Sequence, residues 1–303
     1  MFFITLLLFL FIYTIYSKGV FMNNKTKGIL YISLSSLFFS IMAISVKLIP
    51  DIPIAEKIFF RNSIGLIPIL ITAYRTKLSL KPNNTKLIFI RSILGALGIV
   101  CYYSALAMLN LADAVILNKL SPFFVLILSF LFLKEKITKK QIISLFLALL
   151  GALLIIRPAF DLSIIPTLFG VLSAFFAGSA YTIVRKLSET DKPMVIVFYF
   201  ALVTTILTIS YMIVTKDFVY PTFYELIILI MLAMSALTAQ LLMTAAYSYA
   251  PAGELAIYTY LNIIFSMTFG IIIWSEIPDI ITISGASLII IGGYINYISK
   301  KNA

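Results

Sequence analysis

The chain has 303 residues, 62% of them hydrophobic and only 12% charged, with a mean hydropathy of +1.09 and a formal net charge of +11. That hydropathy excludes a water-soluble domain, whose core could not hide so much apolar surface. The absence of histidine and the single cysteine, Cys101, exclude an intrachain disulfide, a histidine-based metal site and a Cys/His nucleophile pair, so no cofactor is expected.

The first 21 residues, "MFFITLLLFLFIYTIYSKGVF", have neither the basic start nor the small-residue cleavage site of a signal peptide. Met22, followed by "NNKTKG", reads as a better translation start. Residues 1–22 are therefore expected to be a hydrophobic leader of doubtful status rather than a working eleventh helix. From there on, apolar runs of the roughly 20 residues that a hydrocarbon core demands recur along the chain. They predict ten helices, over 28–49, 54–74, 86–108, 111–133, 139–157, 165–187, 193–215, 223–248, 251–275 and 279–298. Runs such as "QIISLFLALLGALLII" are apolar all round, unlike the alternating strands of a barrel.

The second span carries Lys57 and Arg61, four residues apart and so on one helix face. Arg61 is the deeper of the two, and its planar fork suits a carboxylate or phosphate. Pairing with Asp51 or Glu56 is the competing structural role. The third span brings Tyr102 and Tyr103, side chains that orient a ligand by hydroxyl and cover it by ring. In the fourth, Asp113 opens the helix, where a carboxylate caps the positive end. Lys119 follows at about 12 Å of helix depth, close to mid-membrane. A central lysine costs about 2.5–3.5 kcal/mol on insertion scales, so it is expected to face a wet cavity, ahead of a pair with Asp113 or snorkelling. Pro122 offers no N–H to the carbonyl of Asn118, which predicts a kink there and a carbonyl freed toward the cavity.

Glu135 and Glu276 end their spans, Glu254 opens the ninth, and Tyr258, Tyr260 and Asn262 follow within it, Tyr258 and Asn262 on one face. The two closing glutamates are expected to be structural, locking one side of the bundle by salt bridges. Gly95, Gly98, Gly151, Gly285, Gly292 and Gly293 mark close helix packing. No carboxylate falls in the central part of any span, whereas Arg61 and Lys119 both do.

Offsetting the chain by 141 residues pairs Asp113 with Glu254, Phe124 with Phe265, Glu135 with Glu276 and Gly151 with Gly292. "SLFFSIMAISVKL" likewise resembles "SAFFAGSAYTIVRKL". Two five-helix units, 23–157 and 158–303, are expected. Five is odd, so the second would be inverted, the architecture of many secondary transporters. Most lysines and arginines, including Arg75, Lys86, Arg91, Lys139, Arg185 and Lys300, fall in alternate loops, which places both termini in the cytoplasm.

The stretch "YYSALAMLNLADAVILNKLSPFFVLILSFLFLKEKIT" resembles the EamA-type members of the drug/metabolite transporter superfamily: a Tyr-rich third helix, a small-residue turn, Ser-Pro in the fourth and a closing Glu before a basic loop. "APAGELAIYTYLNIIFSMTFGIIIWSEIPD" repeats part of the pattern, and "FFRN" resembles the arginine near the start of the family's second helix. Lys119 departs from it, as does Asn262-Ile263 where the first half has Ser121-Pro122. The resemblance implies an all-α integral membrane fold of ten helices in two repeats and the movement of small metabolites, often amino acids.

The expectation is a non-enzymatic secondary transporter of a small polar metabolite, an amino acid or other solute with an anionic group, in a bacterial-type cytoplasmic membrane. Its substrate site is expected at Lys119, Arg61, Lys57, Tyr103, Asn118, Tyr258, Tyr260 and Asn262. Membrane lipids and the small solute are its partners, nucleic acid is not, and a homodimer is left open. The alternative is a non-transporting assembly protein, in which Arg61 and Lys119 would be paired internally.

Overall fold

The structure, a computed structural model, describes residues 23–133, 138–156, 164–216, 218–250 and 255–301. The leader, Glu135 and Glu254 lie outside the described residues. Among those described there are eleven α-helices, one 3-10 turn and no strand. In chain order they are α1 (Asn24–Leu48), α2 (Ile54–Arg75), α3 (Thr85–Met108), α4 (Leu111–Asn118), α5 (Ser121–Leu133), α6 (Lys139–Ile156), α7 (Ile164–Leu187), α8 (Pro193–Thr215) and α9 (Phe223–Tyr249). The 3-10 turn (Ala256–Tyr260), α10 (Leu261–Trp274) and α11 (Ile280–Lys301) complete the chain.

Local chemistry explains the boundaries. Asn84 caps α3 by accepting from Leu87 N, Pro193 opens α8 where its missing N–H costs nothing, and Thr222 with Glu225 forms a reciprocal capping box at α9. Two expected spans are not single helices. The fourth breaks between Asn118 and Ser121, where Leu120 N donates to Leu117 O and Phe123 N to Leu120 O, tighter i→i−3 steps in place of the α-helical ladder. The ninth runs as a 3-10 turn over Ala256–Tyr260 and becomes α-helical at Leu261. The two irregularities fall at Lys119 and Tyr260, positions 141 apart.

Seven helical stretches among the described residues are long and apolar enough to cross a membrane, and Tyr258–Trp274 is a shorter apolar one. Exposed Ile67, Leu70, Phe146, Ile213 and Ile272 give the outer surface its apolar character, the surface a multi-pass membrane protein turns to lipid. α4 lies at the other extreme. Leu111, Ala112, Ala114, Val115, Ile116 and Leu117 are all buried, as befits a helix apolar on every side.

The helices pack in pairs: α1 along α9, α3 along α7, α2 on α8, and α6 on α11. Glycines set the closest approaches. A Cβ on Gly151 would lie 2.6 Å from the carbonyl oxygen of Gly285, and one on Gly285 would lie 2.7 Å from that of Gly151, so these backbones touch at the α6–α11 crossing as expected of them. Gly170 and Gly178, unremarked in the sequence, do the same for α7, against Leu117 of α4 and the carbonyl of Ser121 at the start of α5.

One end of the bundle is tied by charge. Lys47 at the end of α1 pairs with Glu276, just beyond α10, and lies 5.1 Å from the Trp274 ring centroid. The second carboxylate oxygen of Glu276 accepts from Leu111 N at 2.9 Å, satisfying a first-turn donor of α4 from another helix. Asp113 lies in the first turn of α4, as expected of it, and also accepts from Thr282 Oγ1 of α11 at 3.3 Å.

Candidate functional site

Between α1, α3, α7 and α9 the helices part around a cavity of about 110 Å³. Every helix except α6 and α11 lines it or packs beside it, and the break between α4 and α5 brings Asn118, Lys119, Ser121 and Pro122 to its wall. The second half answers with Thr259 and Asn262, from the 3-10 turn and the start of α10. Both chain irregularities therefore serve the same space, the one setting in a membrane where non-helical backbone is tolerated.

The cavity is cationic. Arg61 from α2, Arg91 from α3 and Lys119 line it, and among the described residues no aspartate or glutamate does. Among the described residues none of the three forms an ion pair. Arg91 is 2% exposed and lies over Phe200 of α8, its guanidinium carbon 3.8 Å from the ring centroid; that of Arg61 is 5.6 Å from the same centroid. Such cation–π contacts contribute about 0.5–2 kcal/mol but offer no acceptor for the N–H groups. Arg61 Nη1 donates to Asn62 Oδ1 at 3.3 Å. Arg61 Nε, Arg91 Nε and Nη1, Gln240 Nε2 and the Tyr103 hydroxyl have no hydrogen-bond partner. Four of these five atoms can only donate, so the lining is short of acceptors and negative charge.

Polar pins hold the cavity's irregular walls. Asn118 Nδ2 donates to Ser173 Oγ of α7 at 2.9 Å. Asn262 Nδ2 donates to the Ser36 carbonyl at 2.9 Å and to Ser40 Oγ at 2.6 Å, both on α1. Each amide ties a broken helix to a straight neighbour, and Ser36 and Ser173 open the two similar "SLFF" and "SAFF" stretches.

Of the residues singled out from sequence, Arg61, Tyr103, Asn118, Lys119 and Asn262 meet at this cavity. Lys57, Tyr258 and Tyr260 are not on its lining. Lys57 is buried at the first turn of α2, with Asp51 as its charged neighbour. Tyr258 packs into a hydrophobic cluster between α1 and α9 and gives its carbonyl to Ser36 Oγ at 3.3 Å. The buried Tyr260 ring turns toward α11, where Gly293 makes room for it. Its alignment with Lys119 fixed the backbone position and not the direction of the side chain.

Arg91, read from the sequence as one of the cytoplasmic-side cations, is buried and lines the cavity. It sits a turn and a half inside α3, and Gly95 one turn later clears the space in which Phe200 can lie under it; a Cβ there would come within 2.7 Å of the ring. That i,i+4 Arg-Gly pair was the available signal. Phe200, Tyr181 and Gln240 carried none, being ordinary members of apolar spans.

With this geometry established, relatives bear on its use. A family model described as the EamA-like transporter family matches the chain twice, over residues 26–157 and 164–298. The chain belongs to the EamA-like transporter family. That membership makes it a transporter and not an enzyme. The transporter is 37% identical over 267 residues to the pseudopaline exporter CntI of Pseudomonas aeruginosa, which covers 87% of this chain and 93% of that protein. It is 27% identical over 245 residues to the S-adenosylmethionine uptake transporter of Rickettsia bellii, covering 81% and 83%. A solved crystal structure at 17% identity superposes on it with a TM-score of 0.68, over 91% of this chain and 98% of that one, a likeness of fold.

Proposed function

We propose that the transporter is a secondary carrier in a cytoplasmic membrane, moving a small polar metabolite with an anionic group by alternating access around the cationic cavity. The observation that carries this reading is the charge balance of the lining: Arg61 and Arg91 with free donors, together with Lys119, and no acid among the described lining residues. Fixed positive charge walled by low dielectric concentrates anions, and at bilayer depth cargo or water completes what no protein carboxylate supplies. An assembly protein without a solute path would need these cations paired internally, which is not their arrangement among the described residues.

Alternating access rests on two inverted units, 23–157 and 158–303. The pairing of helices supports it, because α1 on α9 and α7 on α3 are the same contact with the halves exchanged, while α2 on α8 and α6 on α11 are contacts between counterparts. Breaks 141 residues apart support it too. With both termini cytoplasmic, the Lys47–Glu276 latch lies on the outer side, and its closure makes this an outward-closed form. Relatives whose names say export and uptake leave direction to experiment.

The test is reconstitution in liposomes with labelled amino acids, nucleotides and other organic anions. A transported anion is expected, with at least about tenfold loss of affinity in Lys119→Ala, the scale of one charge-assisted contact. Normal affinity in that variant contradicts the reading.

A further inference from the structure

The lining holds more positive charge than one anionic group can use, and it holds it in two places. Arg61 and Arg91 converge on the Phe200 ring and are charged neighbours of each other. Two guanidinium groups so placed repel unless an anion bridges them, and the free Nε of each and Nη1 of Arg91 are donors for one. The site is built around this pair. Gly95 leaves room for the Phe200 ring and lies beside Arg91 Nη1, 3.3 Å from where its Cβ would be. Tyr181, also on the lining, stands within electrostatic reach of both arginines.

Lys119 belongs elsewhere on the wall, at the C-terminal end of α4 where the chain breaks before α5, and it has no part in the recorded contacts of the two arginines with Phe200. Apolar side chains, among them Ile32, Phe39, Met42 and Met243, also line the cavity. An amino acid with one carboxylate matches this poorly. Its ammonium would add a fourth cation to a space whose described lining holds no acid.

Resting on the reading that this cavity is the substrate site, we propose that the cargo carries two anionic groups, one bridged by Arg61 and Arg91 on Phe200 and the other received by Lys119. Binding then neutralises both cationic centres at once, which a monoanion cannot do. The cargo class narrows from any anionic metabolite to dicarboxylates and equally spaced carboxylate–phosphate solutes.

The experiment titrates the purified full-length chain in detergent with straight-chain dicarboxylates from malonate to pimelate. Propionate, butyrate and β-alanine serve as the monoanionic and zwitterionic arms, and dissociation constants are taken from ligand-induced thermal stabilisation. One dicarboxylate length is expected to bind at least about tenfold more tightly than the monocarboxylate nearest it in length, one charge-assisted contact being of that size. Lys119→Gln should reduce this advantage to about twofold or less, and Arg91→Lys should weaken every anion by removing the stacked planar donor. Equal binding of mono- and dicarboxylates by the unmutated chain overturns the two-anion assignment without recourse to a variant and leaves a single-anion carrier standing. Lys119→Gln that keeps the dicarboxylate advantage overturns it as well. Binding of neither class overturns both this inference and the carrier reading beneath it.

Discussion

Phe200 decides how two arginines can share one cavity wall. Its ring lies 3.8 Å from the Arg91 guanidinium carbon and 5.6 Å from that of Arg61, so it holds both groups together while Arg61 Nε and Arg91 Nε and Nη1 stay unpartnered. Phe200→Leu keeps apolar volume and loses the ring. It is expected to weaken anion binding by about 2- to 30-fold, the range of a desolvated cation–π contact, with little change in melting temperature; binding titrations beside thermal melts check it. Tyr260→Phe separates the cavity from its surroundings. The hydroxyl it removes has no hydrogen-bond partner and lies off the lining, so transport KM is expected to stay within about twofold. A large rise in KM would place Tyr260 in the substrate path after all. At this scale the sequence spoke clearly only where residue type conflicts with setting: a lysine or arginine at bilayer depth must have a reason, and Arg61 and Lys119 were legible for that cause. Side-chain direction was not. Tyr258 and Tyr260 looked as suitable as Tyr103, and only the glycine at 293 and the serines of α1 turn them aside.

Helix boundaries were legible within a few residues, because apolar runs of membrane length and polar stops leave little freedom: 54–74 became Ile54–Arg75 and 193–215 became Pro193–Thr215. The break in the fourth span was foreshadowed by Pro122. That in the ninth was not, since Asn262-Ile263 offers no proline and the 3-10 turn there is held by the Asn262 amide on Ser36 and Ser40. The glycines were legible as packing points in number but not in partner, which depends on how helices far apart in sequence meet. Two predictions belong here. Gly285→Val places branched carbon where 2.7 Å separates a Cβ from the Gly151 carbonyl; overpacking of this kind costs about 1–3 kcal/mol. A lowered melting temperature in detergent with unchanged anion affinity is expected, because α6 and α11 supply no lining residue. Glu276→Gln keeps the shape of the side chain, removes the charge paired with Lys47 and weakens the acceptor at Leu111 N. It is expected to loosen the latched end, read as faster labelling of a cysteine placed at Leu109 by a membrane-impermeant reagent. Labelling no faster than with Glu276 intact would remove the latch from the account.

For the molecule as a whole, the pieces agree on one design: straight helices paired across two halves, broken helices tied to them by asparagine amides, and a positive space where the breaks meet. The family and fold follow from matches across nearly the whole chain; the charge of the cavity comes from Arg61, Arg91 and Lys119. That charge can be measured without knowing the cargo. In a Cys101→Ser background, Ala177→Cys puts a thiol on the α7 wall of the cavity, where its reaction with an anionic and a cationic methanethiosulfonate of similar size can be timed in membranes. The account predicts that the anionic reagent reacts faster by at least about tenfold, as a cleft lined by one sign of charge concentrates the opposite ion, and that Lys119→Gln narrows the ratio. Equal rates, or a preference for the cationic reagent, would contradict it.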